Sequence, residues 1–467
     1  MPNDSVATTD PRPQFLGHPR GLAFIVFTEA WERFSFYGMQ ALLVLYMATH
    51  LFQPGAVEHV IGFETFRTAL ETVFGDLSIQ ALATQVFGLY VGLVYFLPVL
   101  GGLVGDKLIG RRPAVLLGGA LMALGHFAMA FEPAFLFALL ALILGSGFLK
   151  GNLAAQVGDL YDKQDQRRDS AFSLYVMSIN VGAFLAPLAC GTLGELYGWH
   201  YGFGLAGIGM LVGLAIYVFG LKHLPKGWSH AADAPRPKLA QGDGGVILAV
   251  LAMLTITALF WIAQTQVWNT YPLWVRERVD RDIFNLTMPI TWFQSLDSLA
   301  VLALAPLVLW FWRRQAKRRA EPSDIIKIAI GCGVFAIANL CLSLGELTSG
   351  EAQVALIWPT TFHFICAVGY LYIGPIALSL TSRAAPAAVN AMLVGAYYLA
   401  IFLGGIVSGW LGRFYETLSP AVFWMIHAGI VGAGGLILLT TRDALLRAMK
   451  LTPQENEHTA EAAAAVQ

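Results

Sequence analysis

Twelve stretches of this chain are apolar for about 20 residues each, the length an α-helix needs to cross a bilayer. In hydrocarbon a backbone must satisfy its own polar groups, so an array of such runs specifies a bundle of helices. They lie near 21–49, 81–105, 113–131, 134–158, 170–195 and 201–220, and again near 245–275, 289–312, 325–347, 352–381, 387–411 and 419–440. Between the two sets, Leu221 to Gly244 holds Pro225, Pro235, Pro237 and several charges, the composition of a linker. The expectation is an all-α membrane protein with a segment 1–20, a six-helix bundle over 21–220, a linker over 221–244, a second six-helix bundle over 245–440 and a tail over 441–467. Only 13% of the residues are charged, where a soluble domain carries about 25%.

Charge placement orients the array. Of the 29 Lys and Arg, Arg67, Arg276, Arg278, Arg281 and Arg413 fall on one side, Arg33 and Lys150 lie within spans, and the others fall on the opposite side. By the positive-inside rule both termini and the linker are expected in the cytoplasm. The longest external loop, about 49–80, is patterned over Val57 to Phe74 as a partly helical segment. The first apolar run is too long for a removed signal peptide and lacks a small-residue cleavage pattern, so it is expected to stay in the membrane.

Several function classes drop out on composition. A formal net charge of -1 gives no electrostatic reason to expect nucleic acid. Cys190, Cys332, Cys341 and Cys366 show no Cys-x-x-Cys spacing and read as small buried apolar residues. His126, His363 and His427 stand on apolar spans with no partner visible in sequence and read as core residues. No nucleophile, metal cluster or cofactor motif points to an enzyme, and no Gly-x-x-x-x-Gly-Lys-Ser/Thr loop points to ATP. Two groups of six spans joined by a linker match the architecture of many secondary transporters, for which an ion gradient or simple facilitation is left as the driving force.

Three charged side chains break the first apolar run: Glu29, Glu32 and Arg33. Each costs about 2.5–3.5 kcal/mol at a bilayer centre, so they must face a protein interior or a wet cavity. At about 100° per residue, Glu32 lies roughly 60° to one side of Glu29 and Arg33 roughly 40° to the other, which puts all three on one face. Lys150 sits inside another span, too far from either end to snorkel, and needs a counter-charge as well. Acids beside a base, pointed into a cavity at membrane depth, are the parts needed to bind and release a proton.

Between the second and third spans the chain reads Gly101-Gly102-Leu103-Val104-Gly105-Asp106-Lys107-Leu108-Ile109-Gly110-Arg111-Arg112. This resembles the loop motif of the major facilitator superfamily, in which glycines let two helices approach while Asp106, Arg111 and Arg112 latch the cytoplasmic side. Within that superfamily the chain is similar to the proton-dependent oligopeptide transporters. Glu29, Glu32, Arg33, Phe34, Tyr37 and Gly38 match the signature Glu-x-x-Glu-Arg-Phe-x-Tyr-Tyr-Gly, with a departure at Phe36. Gly145 to Lys150, Phe172 to Gly182 and Gly198 to Phe203 resemble further signatures of the family. The resemblance implies 12 transmembrane helices in two six-helix bundles, alternating access around a mid-membrane site, and a bacterial inner membrane.

The resemblance also implies roles. Glu29, Glu32, Arg33 and Lys150 would couple protons, with Lys150 partnered by the first-helix glutamates, and Arg33 with Lys150 would receive the peptide carboxylate. Tyr37, Tyr95, Asn180, Trp261, Gln294, Tyr370 and Tyr397 occupy positions that line the substrate cavity. The expected partners are di- and tripeptides, protons and the lipid bilayer, with no cofactor beyond the coupling proton and no obligate protein partner. The second half departs from the pattern: Thr265 and Tyr370 stand where the family has acids, while Gln294-Ser295-Leu296-Asp297-Ser298 introduces an acid. Asp297 is a candidate for the missing carboxylate, as gate partner or amine contact, against a plain helix-linking hydrogen bond. The leading function is a proton-coupled symporter of di- and tripeptides. The alternatives are a symporter of another small anionic or zwitterionic solute, or a membrane sensor that has lost turnover.

Overall fold

The computed structural model describes residues 14–162, 165, 167–225, 239–318 and 321–451. The first 13 residues, most of the expected linker and the end of the tail lie outside these. The first set of helices comprises α1 (Gly21–Tyr46), α2 (Phe63–Phe74), α3 (Ile79–Val104), α4 (Arg111–Ala128), α5 (Phe135–Asp159), α6 (Arg167–Ala186), α7 (Thr192–Tyr197) and α8 (Trp199–Gly220). The second comprises α9 (Asp243–Gln266), α10 (Thr270–Arg278), α11 (Trp292–Lys317), α12 (Asp324–Ser349), α13 (Ile357–Ala384), α14 (Asn390–Gly412) and α15 (Pro420–Ala448). Two antiparallel hairpins of two-residue strands, pairing Gln14 with Pro19 and Asp282 with Thr287, complete the regular structure.

The expected spans correspond to these helices, with breaks where the backbone has a reason for one. α6 continues into α7 through a widened turn at Pro187–Gly191, where proline removes a backbone donor. The seventh apolar run divides at 267–269 into α9 and α10, and Pro272 falls in the first turn of α10, where its missing N–H costs nothing. Among the described residues ten helices are long and apolar enough to cross a membrane. The other two long ones are α1, which carries the three charges, and α4, which opens on Arg111 and Arg112. The loop expected to be partly helical holds a short turn at Val57–His59 and then α2.

Within the first set, α1 packs on α6 and α8, and α5 on α3 and α4; within the second, α12 packs on α13 and α15, and α9 on α14 and α15. The sets meet along α3 with α14 and α6 with α11. The α3–α14 seam is backbone against backbone: a Cβ on Gly88 would come within 2.3 Å of the Gly405 carbonyl oxygen, so glycine there is a packing requirement.

The hydrogen bonds that tie one set to the other gather at the face away from the linker. The Glu195 carboxylate accepts from the backbone N–H groups of Ile290 and Thr291, each at 2.8 Å, and from the Thr291 hydroxyl at 2.7 Å. The Ser295 hydroxyl donates to the Phe184 carbonyl at 2.8 Å, Asn269 to the Thr84 carbonyl at 3.1 Å, and Arg413 to the carbonyls of Phe74 and Asp76. At the linker face the ties run within a set instead. Arg111 bridges Asp106 at 2.8 Å and Asp159 at 2.5 Å, and Arg383 pairs with Asp324.

Candidate functional site

The α-helical spacing of Glu29, Glu32 and Arg33 puts them on the face of α1 that turns inward, and all three are buried. Arg33 Nε lies 2.9 Å from Glu29 Oε1 and 2.5 Å from Glu32 Oε2. The Tyr175 hydroxyl, from α6, donates to the other oxygen of Glu29 at 2.7 Å. Glu29 therefore has a hydrogen bond from a second helix besides its ion pair with Arg33. Glu32 has the shorter ion-pair contact with Arg33, its neighbour in sequence, and neither of its oxygens has an aligned hydrogen bond.

Lys150 enters the same volume from α5. Its Nζ is buried without a hydrogen-bond partner and stands 3.8 Å from the centre of the Phe36 ring and 4.9 Å from that of Tyr95. The charges of Arg33, Glu32 and Glu29 act on it, but no carboxylate closes to ion-pair distance. The ammonium is thus held on aromatic faces, a cation–π contact worth about 2 kcal/mol or more when desolvated. The expected pairing with the first-helix glutamates is electrostatic in this conformation and is not a contact.

The other expected site residues fall into separate groups. Tyr37 and Tyr95 interact through their hydroxyls, and Tyr37 packs on Trp268 with ring centres 5.2 Å apart. Across the divide, Trp261 packs edge-on to Tyr370 at 6.4 Å and Tyr397 at 6.1 Å, while the Tyr397 hydroxyl donates to the Gly374 carbonyl at 3.2 Å. Trp268 belongs to the second set of helices, so its contact with Tyr37 brings the first aromatic group to the junction of the halves. Asn180 donates to the Val176 carbonyl of its own helix at 3.0 Å. Gln294 is fully buried with neither amide atom bonded. Asp106, Arg111 and Arg112 lie at the linker face, where Arg112 reaches the Leu224 carbonyl.

Thr265 turns its hydroxyl back to the Trp261 carbonyl at 2.8 Å, so Arg33 meets no acid at that position. Asp297 is 3.7 Å from His363 Nδ1. That neighbour, together with Tyr175 and Asp159, was not visible in the sequence, because each contact joins different helices and no spacing encodes it. His427 likewise has partners, the Phe423 carbonyl and Gln266, whereas His126 is buried without one.

A family model described as PTR2, the POT family, matches residues 112–234 and 245–425. The "Uncharacterized transporter YclF" of Bacillus subtilis is 31% identical, over 96% of this chain and 98% of its own. The "Peptide transporter YePEPT" of Yersinia enterocolitica is 29% identical, over 91% of this chain and 94% of its own. A solved structure of peptide transporter POT, in a mutant form in complex with alafosfalin, superposes with a TM-score of 0.82 at 30% identity, covering 95% of this chain and 98% of that one. The family model spans most of the chain and the Bacillus subtilis relative nearly all of it, so the chain belongs to the POT family.

Proposed function

We infer that this protein is a proton-coupled symporter that imports di- and tripeptides by alternating access. The observation that carries the reading is the buried group of Glu29, Glu32, Arg33 and Lys150. Its formal charge is zero when all four are ionised, and a proton on Glu32 leaves one base in excess for a peptide carboxylate. Arg33 offers that carboxylate a planar fork and Lys150 a movable point charge. Tyr37, Tyr95, Trp261, Tyr370 and Tyr397 supply apolar walls with polar tips for backbone and side chains. Relatives described as peptide transporters support the choice of substrate.

In this reading, bundles 21–220 and 245–440 rock about the site and are joined by a cytoplasmic linker over 221–244. Both termini are cytoplasmic, in a bacterial inner membrane, on the side where Lys and Arg gather. Asp106, Arg111 and Arg112 act as the cytoplasmic latch. The hydrogen bonds that tie the halves at the far face make the present conformation the one closed to the outside.

The test is uptake of Ala-Ala into liposomes by the wild type and by Glu32→Gln. The variant is expected to lose gradient-driven accumulation while exchanging labelled for unlabelled peptide. Accumulation as in the wild type would remove Glu32 from the coupling scheme. A second reading, a symporter of another small anionic or zwitterionic solute, is favoured by one observation: Tyr370 leaves the family's amine-binding position without a carboxylate. N-acetylated Ala-Ala competing as well as Ala-Ala would select it.

A further inference from the structure

Asp297 is an acid in a membrane-spanning helix, and among the described residues no Lys or Arg lies within ion-pair distance of it. What does approach is His363 of α13, fully buried, whose Nδ1 is 3.7 Å from Asp297 Oδ1. The opposite ring nitrogen, Nε2, lies 3.0 Å from the hydroxyl of Tyr271 on α10. The Tyr271 ring meets the imidazole edge-on, with ring centres 5.1 Å apart. Three helices therefore converge on one imidazole.

Nδ1 is buried, with no partner at hydrogen-bond distance. In the neutral imidazole the Tyr271 hydroxyl can donate to Nε2 while Nδ1–H faces the Asp297 carboxylate. An added proton then goes to the Nε2 lone pair, the Tyr271 hydroxyl turns to accept from the new N–H, and the imidazolium stands beside the carboxylate as an ion pair. No other bond forms or breaks.

The surroundings do not supply a competing charge. Cys341 of α12 and Cys366 of α13 are the titratable groups that, with Asp297, act on Tyr271. From the side of α15, Trp424 packs near Tyr271, and His427 is engaged with Phe423 and Gln266. Glu346 of α12 is taken by Arg278 and by the Trp274 indole N–H. Along α13, Tyr370 feels the Asp297 charge and meets Trp261 of α9, with Tyr397 and Tyr398 of α14 beyond it.

We propose that Asp297, His363 and Tyr271 form a second proton-binding site, in the C-terminal half, separate from the glutamates of α1. The proposal rests on the reading of the chain as a proton-coupled carrier. It deepens that reading by adding a place where a proton is held and a mechanical consequence of holding it. Protonation draws α11 towards α13. Ser295 of α11 and Thr291, the residue just before that helix, lie two and six residues before Asp297 and make the far-face ties to Phe184 and Glu195. A proton on this pair is therefore felt at the contacts that close the outside.

The full chain in liposomes provides the test, with steady-state accumulation of Ala-Ala as the readout because it does not depend on how many carriers are active. His363→Gln is expected to lower accumulation about tenfold per unit of pH gradient, the effect of one proton fewer per peptide. Accumulation equal to that of the wild type would overturn the proposal. In parallel, 15N-imidazole NMR of the wild type in nanodiscs should show a buried histidine that gains a proton as the pH is lowered and whose signal moves in Tyr271→Phe. An imidazole that keeps one protonation state throughout would overturn it without use of a position-363 variant. A wild type that binds this proton but shows no gradient-driven uptake would sink the transport reading and leave the site standing.

Discussion

Phe36 lacks the hydroxyl that its position carries in the family signature, and the ring it presents lies beneath the Lys150 ammonium. A side chain that looks like a small departure in sequence thus determines how an unpaired cation is held. Tyr175 matters in the opposite sense, because its hydroxyl donates to Glu29 and gives that acid a partner from a second helix. Tyr175→Phe removes a hydrogen bond to a charged group, worth about 1.5–3 kcal/mol. The purified variant should unfold at a lower temperature than the wild type, and an unchanged melting midpoint would show that this hydroxyl does not tie α6 to α1. The face shared by Glu29, Glu32 and Arg33 was legible from their spacing because all three ride one helix. Lys150 on Phe36, Tyr175 on Glu29 and His363 beside Asp297 were not, since each contact joins helices distant in sequence.

At the scale of helices, hydropathy located the long helices, ten of which among the described residues are long and apolar enough to cross a membrane, because the bilayer fixes both length and composition. What it could not give is the partner of each helix, which shape decides. The α3–α14 seam is the clearest case: Gly88 and Gly405 approach through bare backbone. Gly88→Leu forces side-chain atoms into a space too small for a Cβ, an overpacking cost of about 1–3 kcal/mol. The purified variant should unfold at a lower temperature than the wild type and accumulate less peptide. An unchanged melting midpoint would show that the seam opens freely.

At the scale of the molecule, the two sets of helices are held together at the far face by a few polar ties, with Glu195 accepting three hydrogen bonds at once. Glu195→Ala removes that anchor and leaves two backbone N–H groups of the chain entering α11 without it. A loss of about 3 kcal/mol in a two-state equilibrium changes the ratio of conformers by more than a hundredfold. Spin labels across the far face should accordingly report longer distances in the variant, and distances unchanged from the wild type would remove Glu195 as a latch. The charge asymmetry and the two groups of six were visible in sequence. Which face was shut was not, because the same residues must serve both shapes.

The glycine seam also limits the kind of movement open to this carrier. Two helices touching through carbonyls and Cα atoms leave no space to slip past one another by a turn without collision: beside Gly88, the Phe402 ring already lies 3.0 Å from where a Cβ on Gly92 would stand. They can still roll, as cogs do. The stroke that moves cargo would then be a tilt about a fixed ridge, its reach set by the width of the bundles and not by the strength of the driving gradient.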